Sequence, residues 1–249
     1  MTLYMIGIGL DNAEDITYKG LRAVEKCDYV FLETYTSKLH CSVKELENLY
    51  GKEIILADRD LVEKNAEEIL DKAKDKEVAF LVVGDVFGAT THTDIYLRAR
   101  KRGIGVSVIN NASVLTAIGI VGLELYKFGK TTSIPYPEEN FKPETAYDVI
   151  KKNKECNLHT QVLLDIKPDR NMTVNEAIEI LFEIESKRKE KVFTKNTMII
   201  GCARLGGNYK IKYGTANKLL KEDFGEPLHC IIVPGELHFI EEEALEMWQ

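Results

Sequence analysis

The sequence lacks most of the signatures that would assign it a chemistry at sight. No CxxC pair occurs among its five cysteines, Cys27, Cys41, Cys156, Cys202 and Cys230. The odd count and the absence of CxxC pairs argue against a disulfide framework, and zinc ligation would need close Cys/His spacing. Buried, reduced thiols in a cytoplasmic protein are expected instead. The longest apolar stretch, residues 114–123, is too short to span a bilayer, and the chain opens directly on a strand with no signal peptide before it. No membrane association is therefore expected.

Positive charge is also scarce. Lysine and arginine number 33 against 40 aspartates and glutamates, for a net charge of −7 and a pI near 5.4. That balance argues against direct nucleic-acid binding, which needs a basic surface. No GxSxG elbow, HExxH helix or EF-hand loop is present. Neither a catalytic nucleophile nor a metal is expected, and such a chain suits a reaction whose reagent carries its own leaving group.

What is present is an alternation of strand and helix patterns. "LYMIGIGL", "DYVFLE", "EIILA", "VAFLVVGD" and "VSVIN" read as strands. Between them lie "DITYKGLRAVEKC" with Asp15 as N-cap, "SVKELENLYG" with Ser42 and Glu45 at capping-box spacing and Gly51 as stop, a helix over residues 60–74, and a helix ending at Gly103. Apolar strands alternating with helices predict a parallel sheet with right-handed crossovers, helices on both faces, and a domain over residues 1–110. The remainder, 111–249, predicts a second α/β domain with a mixed sheet. Here "SVLTAIGIVGLELY" reads as a buried helix, and Thr173 with Glu176 caps a helix beginning "VNEAIEIL". "TQVLLDI", "TMIIGCARLG" and "HCIIVPG" read as strands.

Some motifs can be weighed residue by residue. Gly7-Ile8-Gly9 follows the first strand, but Asn12 stands where a dinucleotide fingerprint needs its third glycine. Glu33 ends the second strand, where a ribose contact would sit. "FGKTTS" from Phe128 resembles the end of a phosphate-binding loop, yet Glu124 stands where that loop needs its first glycine, so Gly129 is expected as a helix C-cap. Asp85 is either a turn residue or a ligand contact at the carboxyl edge of the sheet, where open parallel sheets bind ligands. His92 is expected near the start of the next helix, and His229 reads as a satisfied residue entering a buried strand. Asn111 or Ser113 is a helix N-cap, or its turn meets a ligand.

Taken in order, "LYMIGIGLDNAEDITYKGLRAVEKCDYVFLETYTS", "GDVFGATTHTD", "NNASVLTAIGIVGLELYKFGKTTSIPYPE", "LLDIK" and "EDFGEPLHCIIVPGELH" resemble the archaeal diphthine synthases. These are S-adenosylmethionine-dependent methyltransferases of the tetrapyrrole-methylase fold, and the resemblance spans almost the whole chain. It implies two α/β domains, S-adenosylmethionine in the cleft between them, and a homodimer. It further implies cofactor contacts at Leu10, Asp85, Gly88, Ser113, Val114, Leu164, Leu205 and His229. The chain departs from the family pattern after Asp85, where Val86, Phe87 and Gly88 replace a proline, a leucine and an apolar residue. The implied reaction is repeated methylation of the amino group of a 3-amino-3-carboxypropyl-histidine on translation elongation factor two, to a trimethylammonium product. A methyltransferase acting on a tetrapyrrole or on ribosomal RNA, and a non-catalytic nucleotide-binding module, are the alternatives.

Overall fold

The structure of the chain, a computed structural model, describes residues 1–139 and 141–249. It divides into two compact units, Met1–Ala117 and Ile118–Gln249.

The first unit contains strands β1 (Thr2–Gly7), β2 (Tyr29–Glu33), β3 (Ile55–Ala57), β4 (Val78–Val82) and β5 (Gly105–Ile109). Its helices are α1 (Tyr18–Lys26), α2 (Val43–Tyr50), α3 (Glu67–Asp75), α4 (Thr93–Lys101) and the single turn α5 (Val114–Ala117). The strands are all parallel, in the order β3-β2-β4-β1-β5. Side chains alternate across the pleat. Leu3, Met5, Val78, Phe80 and Val82 pack with Ile69, Leu70, Ile95 and Ala99, so α3 and α4 cover one face. Ile6, Ile8, Ala79, Leu81 and Val83 pack with Ala23, Val24, Leu46 and Tyr50, so α1 and α2 cover the other. That double cover explains the unbroken apolar run of β4, whose residues are all buried. The chain leaving β1 turns toward one face and the chain leaving β4 toward the other. The adjacent carboxyl ends of β1 and β4 therefore form a topological switch point, the place where such sheets hold ligands.

The second unit contains β6 (Thr132–Ile134), α6 (Thr145–Glu155), β7 (Thr160–Leu164), α7 (Val174–Arg188), β8 (Met198–Ala203), β9 (Lys210–Thr215), α8 (Ala216–Leu219), β10 (His229–Val233) and α9 (Phe239–Glu246). Its sheet has the order β6-β7-β10-β8-β9 and is mixed: β6 and β7 are parallel and the other neighbours antiparallel. Ile134, Val162, Leu164, Ile199, Ala203, Ile231 and Val233 face a core built with Tyr147, Ile150, Ile178, Leu181 and Leu219.

At the rear of the second unit the carboxylate of Glu241, fully buried, gathers four donors. His159 Nε2 (3.0 Å) and Glu124 N (2.9 Å) meet Oε1, while His238 N (2.9 Å) and Lys127 Nζ meet Oε2. Gly235 N donates to His159 Nδ1 at 2.9 Å, which leaves the ring proton on Nε2, where it points at Glu241. Burial alone would push the Glu241 pKa up. The donors of His238, Lys127, Glu124 and His159 outweigh it and hold the carboxyl at about 2.

Several local expectations are realised as read. Ser42 with Glu45, and Thr173 with Glu176, form complete capping boxes, and Gly51 closes α2 in the left-handed conformation. Others are corrected. The cap of α1 is Thr17, whose hydroxyl accepts from Gly20 N, not Asp15. The helix expected over 60–74 is a π-helical turn at Asp60–Lys64 followed, after Asn65, by α3. The buried helix expected from residue 113 is broken into α5 and two short 3-10 turns, Ile118–Val121 and Leu125–Lys127. Its β-branched residues favour helix poorly, Gly119 interrupts it, and Gly122 takes a φ of +93° against Ala244. Gly129 caps no helix; it is packed so closely on Asn153 that an added Cβ would lie 2.4 Å from Oδ1. The five cysteines are free, but only Cys27, Cys202 and Cys230 are buried; Cys41 is half-buried and Cys156 exposed.

Candidate functional site

At the switch point the loops after β1 and β4 touch directly. Gly84 N donates to Gly9 O at 2.6 Å and Gly9 N to Gly84 O at 3.3 Å. This contact needs glycine on both sides. Gly9 and Gly84 have φ of +84° and +81°, and a Cβ on Gly9 would lie 2.2 Å from that of Asp15. Asp15, missed as a site residue in the sequence, ties the first loop: its Oδ2 accepts from Leu10 N (3.0 Å) and Asp11 N (2.7 Å). Nothing in the sequence marks it, because its partners lie in a turn without a regular repeat.

Asp85 organises the second loop. Its Oδ1 accepts from Phe87 N at 3.1 Å, and its Oδ2 from Asn110 Nδ2 and Asn111 N, both at 3.0 Å. The carboxylate thus joins the loop after β4 to the loop after β5. Gly88 lies against Ser113, close enough that an added Cβ would meet Oγ at 2.4 Å. Ser113 caps α5, its Oγ accepting from Leu115 N at 3.2 Å, and Val114 begins that turn. Leu10 lies beside Gly84, its Cδ2 3.6 Å from where a Cβ would stand. Leu10, Asp85, Gly88, Ser113 and Val114 therefore share one cluster of three loops at the carboxyl edge of the parallel sheet.

The other residues of the expected site belong to the second unit, at one end of its sheet. His229 pairs with Ala203, and Leu163 with Cys230, so Leu164, Leu205 and His229 emerge at the same edge. All three are nearly buried. His229 accepts from Val174 N on Nδ1 (3.3 Å) and donates from Nε2 to Gly225 O and Glu226 O, both 3.1 Å. Both ring nitrogens are engaged within the protein. Arg204 braces the same edge: Nε donates to Asn208 O (2.9 Å) and Nη1 to Phe224 O (3.0 Å) and Glu226 O.

One further expectation is corrected. Glu33 is not open to a ribose; it is 1% exposed and spends its oxygens on Tyr35 N, Thr36 N and the Thr36 hydroxyl of its own turn. His92 stands, as expected, at the start of α4, immediately before Thr93, with its ring turned inward. It is 1% exposed, edge-on to Phe80 at 5.3 Å, with Nδ1 3.3 Å from Val86 O and Nε2 without a partner among the described residues. Burial pushes its pKa down, so the ring is neutral and serves as packing behind the Asp85 loop. Phe87, where the family pattern has leucine, stands half-exposed, edge-on to Tyr96.

Chemically, the cluster offers glycines at points of close approach, backbone groups, and carboxylates already committed to the loops themselves. It can grip and orient a ligand. Among the described residues no group of three or more His, Cys, Asp or Glu side chains could hold a metal ion. No helix there is long and apolar enough to cross a membrane.

Comparison with known proteins identifies the family of the chain. Residues 2–208 match the family described as tetrapyrrole (corrin/porphyrin) methylases. The chain is 46% identical to a diphthine methyl ester synthase of Dictyostelium discoideum, covering 100% of this chain and 98% of that one. It is also 46% identical to a diphthine synthase of Methanocaldococcus jannaschii, covering 98% and 97%. A crystal structure of diphthine synthase superposes with a TM-score of 0.92 at 37% identity, covering 100% of this chain and 96% of the other. The chain therefore belongs to the tetrapyrrole methylase family, in the branch made up of diphthine synthases and diphthine methyl ester synthases.

Proposed function

We propose that the protein is an S-adenosylmethionine-dependent methyltransferase of diphthamide biosynthesis. Its acceptor is the amino group of the 3-amino-3-carboxypropyl-histidine of translation elongation factor two, carried to the trimethylammonium. The observation that carries this reading is the identity of 46% over essentially the full length to diphthine synthases and diphthine methyl ester synthases alike.

S-adenosylmethionine, when bound, supplies an electrophilic methyl group on a sulfonium that is already a good leaving group. The residues present fit such a ligand. Gly84 and Gly88 after β4 and Ala112 after β5 place no bulky side chain at their positions, which lets the backbone approach closely there. Leu10, Asp85, Gly88, Ser113 and Val114 of the first unit, with Leu164, Leu205 and His229 of the second, are the proposed contacts. The protein's part is alignment, which can lower a barrier by roughly 7–11 kcal/mol. The attacking amine must be neutral. Asp85 has both oxygens engaged and His92 is buried, so neither takes the amine's proton, which leaves to solvent. A cytoplasmic location follows from an acceptor that belongs to translation.

The reading includes a homodimer. Ile120, Leu125, Tyr126, Phe239, Ile240 and Met247 are exposed, Tyr126 by 80% and Met247 by 69%. They lie on two segments bonded together through Lys127–Glu241 and Trp248–Val121. Exposed apolar residues gathered in this way mark association surfaces. Tyr126→Glu with Phe239→Glu should convert a dimer to a monomer in sedimentation; a monomeric wild-type chain would end this part of the reading.

The functional test incubates the chain with labelled S-adenosylmethionine and elongation factor two bearing the unmethylated side chain. Label should enter the factor and resist mild base, as on nitrogen. The relatives' two names divide over an ester, so a base-labile fraction would place a further methyl on the carboxylate. Label that stays off the factor but enters a porphyrinoid or ribosomal RNA would overturn the proposal.

A further inference from the structure

Asn111 stands at the junction of all three loops of the first unit's cluster. One of its amide hydrogens goes to Gly7 O and the other to Asp15 O, each at 3.0 Å, across 104 and 96 residues of chain. Its Oδ1 accepts from Ala112 N at 2.7 Å, and its backbone N donates to Asp85 Oδ2 at 3.0 Å. Both ends of the amide are thus used on backbone, two donors against two carbonyls and one acceptor against an N–H. No other side chain of this size supplies that set.

Helix capping does not account for it. Ser113 caps α5, and Asn111 bonds no amide of that turn beyond its neighbour Ala112. The surroundings transmit its position instead. A Cβ on Gly7 would come within 2.9 Å of Asn111 Cβ and 2.6 Å of Gly84 O, so these backbones are in direct contact. Asp15, held through its carbonyl by Asn111, holds Leu10 N with its carboxylate. Asp85, bound to Asn111 N, holds the turn that carries Gly88.

We infer that Asn111 is a positioning residue for methyl transfer: it sets the Leu10 loop, the Asp85–Gly88 turn and the Ser113 cap in the mutual placement that binds the methyl donor. The inference rests on the S-adenosylmethionine-binding reading above. Asn111 touches no reacting group, and it acts through Asp15 and Asp85.

The test uses the full chain with Asn111→Asp, which keeps the shape but turns the donors into oxygen, and Asn111→Ala, which leaves room for water. Ile69→Ala, a cavity in the α3 core, is the stability control. Calorimetry with S-adenosylhomocysteine should show Kd raised about tenfold or more for Asn111→Asp, with Asn111→Ala between it and wild type. The KM for S-adenosylmethionine should rise in step while kcat stays within about twofold, the mark of lost binding rather than lost chemistry. Ile69→Ala should lower Tm as far without moving Kd. Wild-type affinity in folded Asn111→Asp and Asn111→Ala would overturn the inference, as would an equal loss in Ile69→Ala. A wild-type chain that fails to bind S-adenosylhomocysteine would instead remove the methyltransferase reading on which the inference stands.

Discussion

Replacing Glu241 by glutamine keeps the shape of the side chain and removes its charge. Each carboxylate oxygen now receives two donors, so whichever way the amide turns, its NH2 faces two groups that also donate. Leaving buried donors unmatched costs about 1–3 kcal/mol each, and breaking a buried ion pair about 3–5 kcal/mol. The pKa gives an independent figure. A carboxyl held at about 2 instead of 4.5 contributes about 3 kcal/mol to the folded state. For a chain of this size such a loss lowers Tm by about 6–12 °C. The pH dependence has a definite sign. A depressed folded-state pKa stabilises fully above the unfolded value near 4.5 and loses that contribution as pH falls toward 2. The gap in Tm between wild type and Glu241→Gln should therefore be complete at neutral pH and shrink to under half by about pH 3. A Glu241→Gln protein melting within about 2 °C of wild type at neutral pH, or a gap that does not narrow in acid, would refute a charged Glu241 at the centre of this network.

Asp85→Ala strips a shared acceptor from Phe87 N, Asn110 and Asn111 N, so it should cost about 2–4 kcal/mol in urea unfolding as well as weaken S-adenosylhomocysteine binding; binding lost at unchanged stability would show the carboxylate serving the ligand alone. Gly88→Ala drives a methyl group into Ser113, and fluorescence or calorimetric titration should show weaker cofactor binding with about 1–3 kcal/mol of destabilisation. Thr173→Ala removes one half of a capping box and should lower Tm by about 2–4 °C for a loss near 1 kcal/mol, with no change in methyl transfer.

The strands of the parallel sheet, the capping boxes of α2 and α7 and the glycine stop of α2 were legible because each is written in consecutive residues. Strand burial shows as an apolar run, and a cap as a polar residue three places before a glutamate. The Asp15, Asn111 and Glu241 networks were not legible, since Asn111 finds its partners about a hundred residues away and Glu241 meets His159 across 82. Asn111 looked like a helix cap because the same amide chemistry serves both ends. Glu33 looked like a ribose ligand because its place at a strand end is right, while the turn that consumes it lies two and three residues further on, at Tyr35 and Thr36. The stretch 114–127 misled because apolar content was read as helix where glycine and β-branched residues decide otherwise. The resemblance to a family located the loops of the expected site, but only the structure showed what holds them.

The strand order β3-β2-β4-β1-β5 also bears on synthesis. β1 pairs only with β4 and β5, both of which are translated well after it. At about 5–20 residues per second, Leu3, Met5 and Ile6 trail the ribosome for some 5–20 s before residue 109 has been added. Until β4 has been made this sticky ribbon has no neighbour to receive it, and until β5 follows one of its two edges stays unpaired, so a product terminated short of β5 keeps that edge on show.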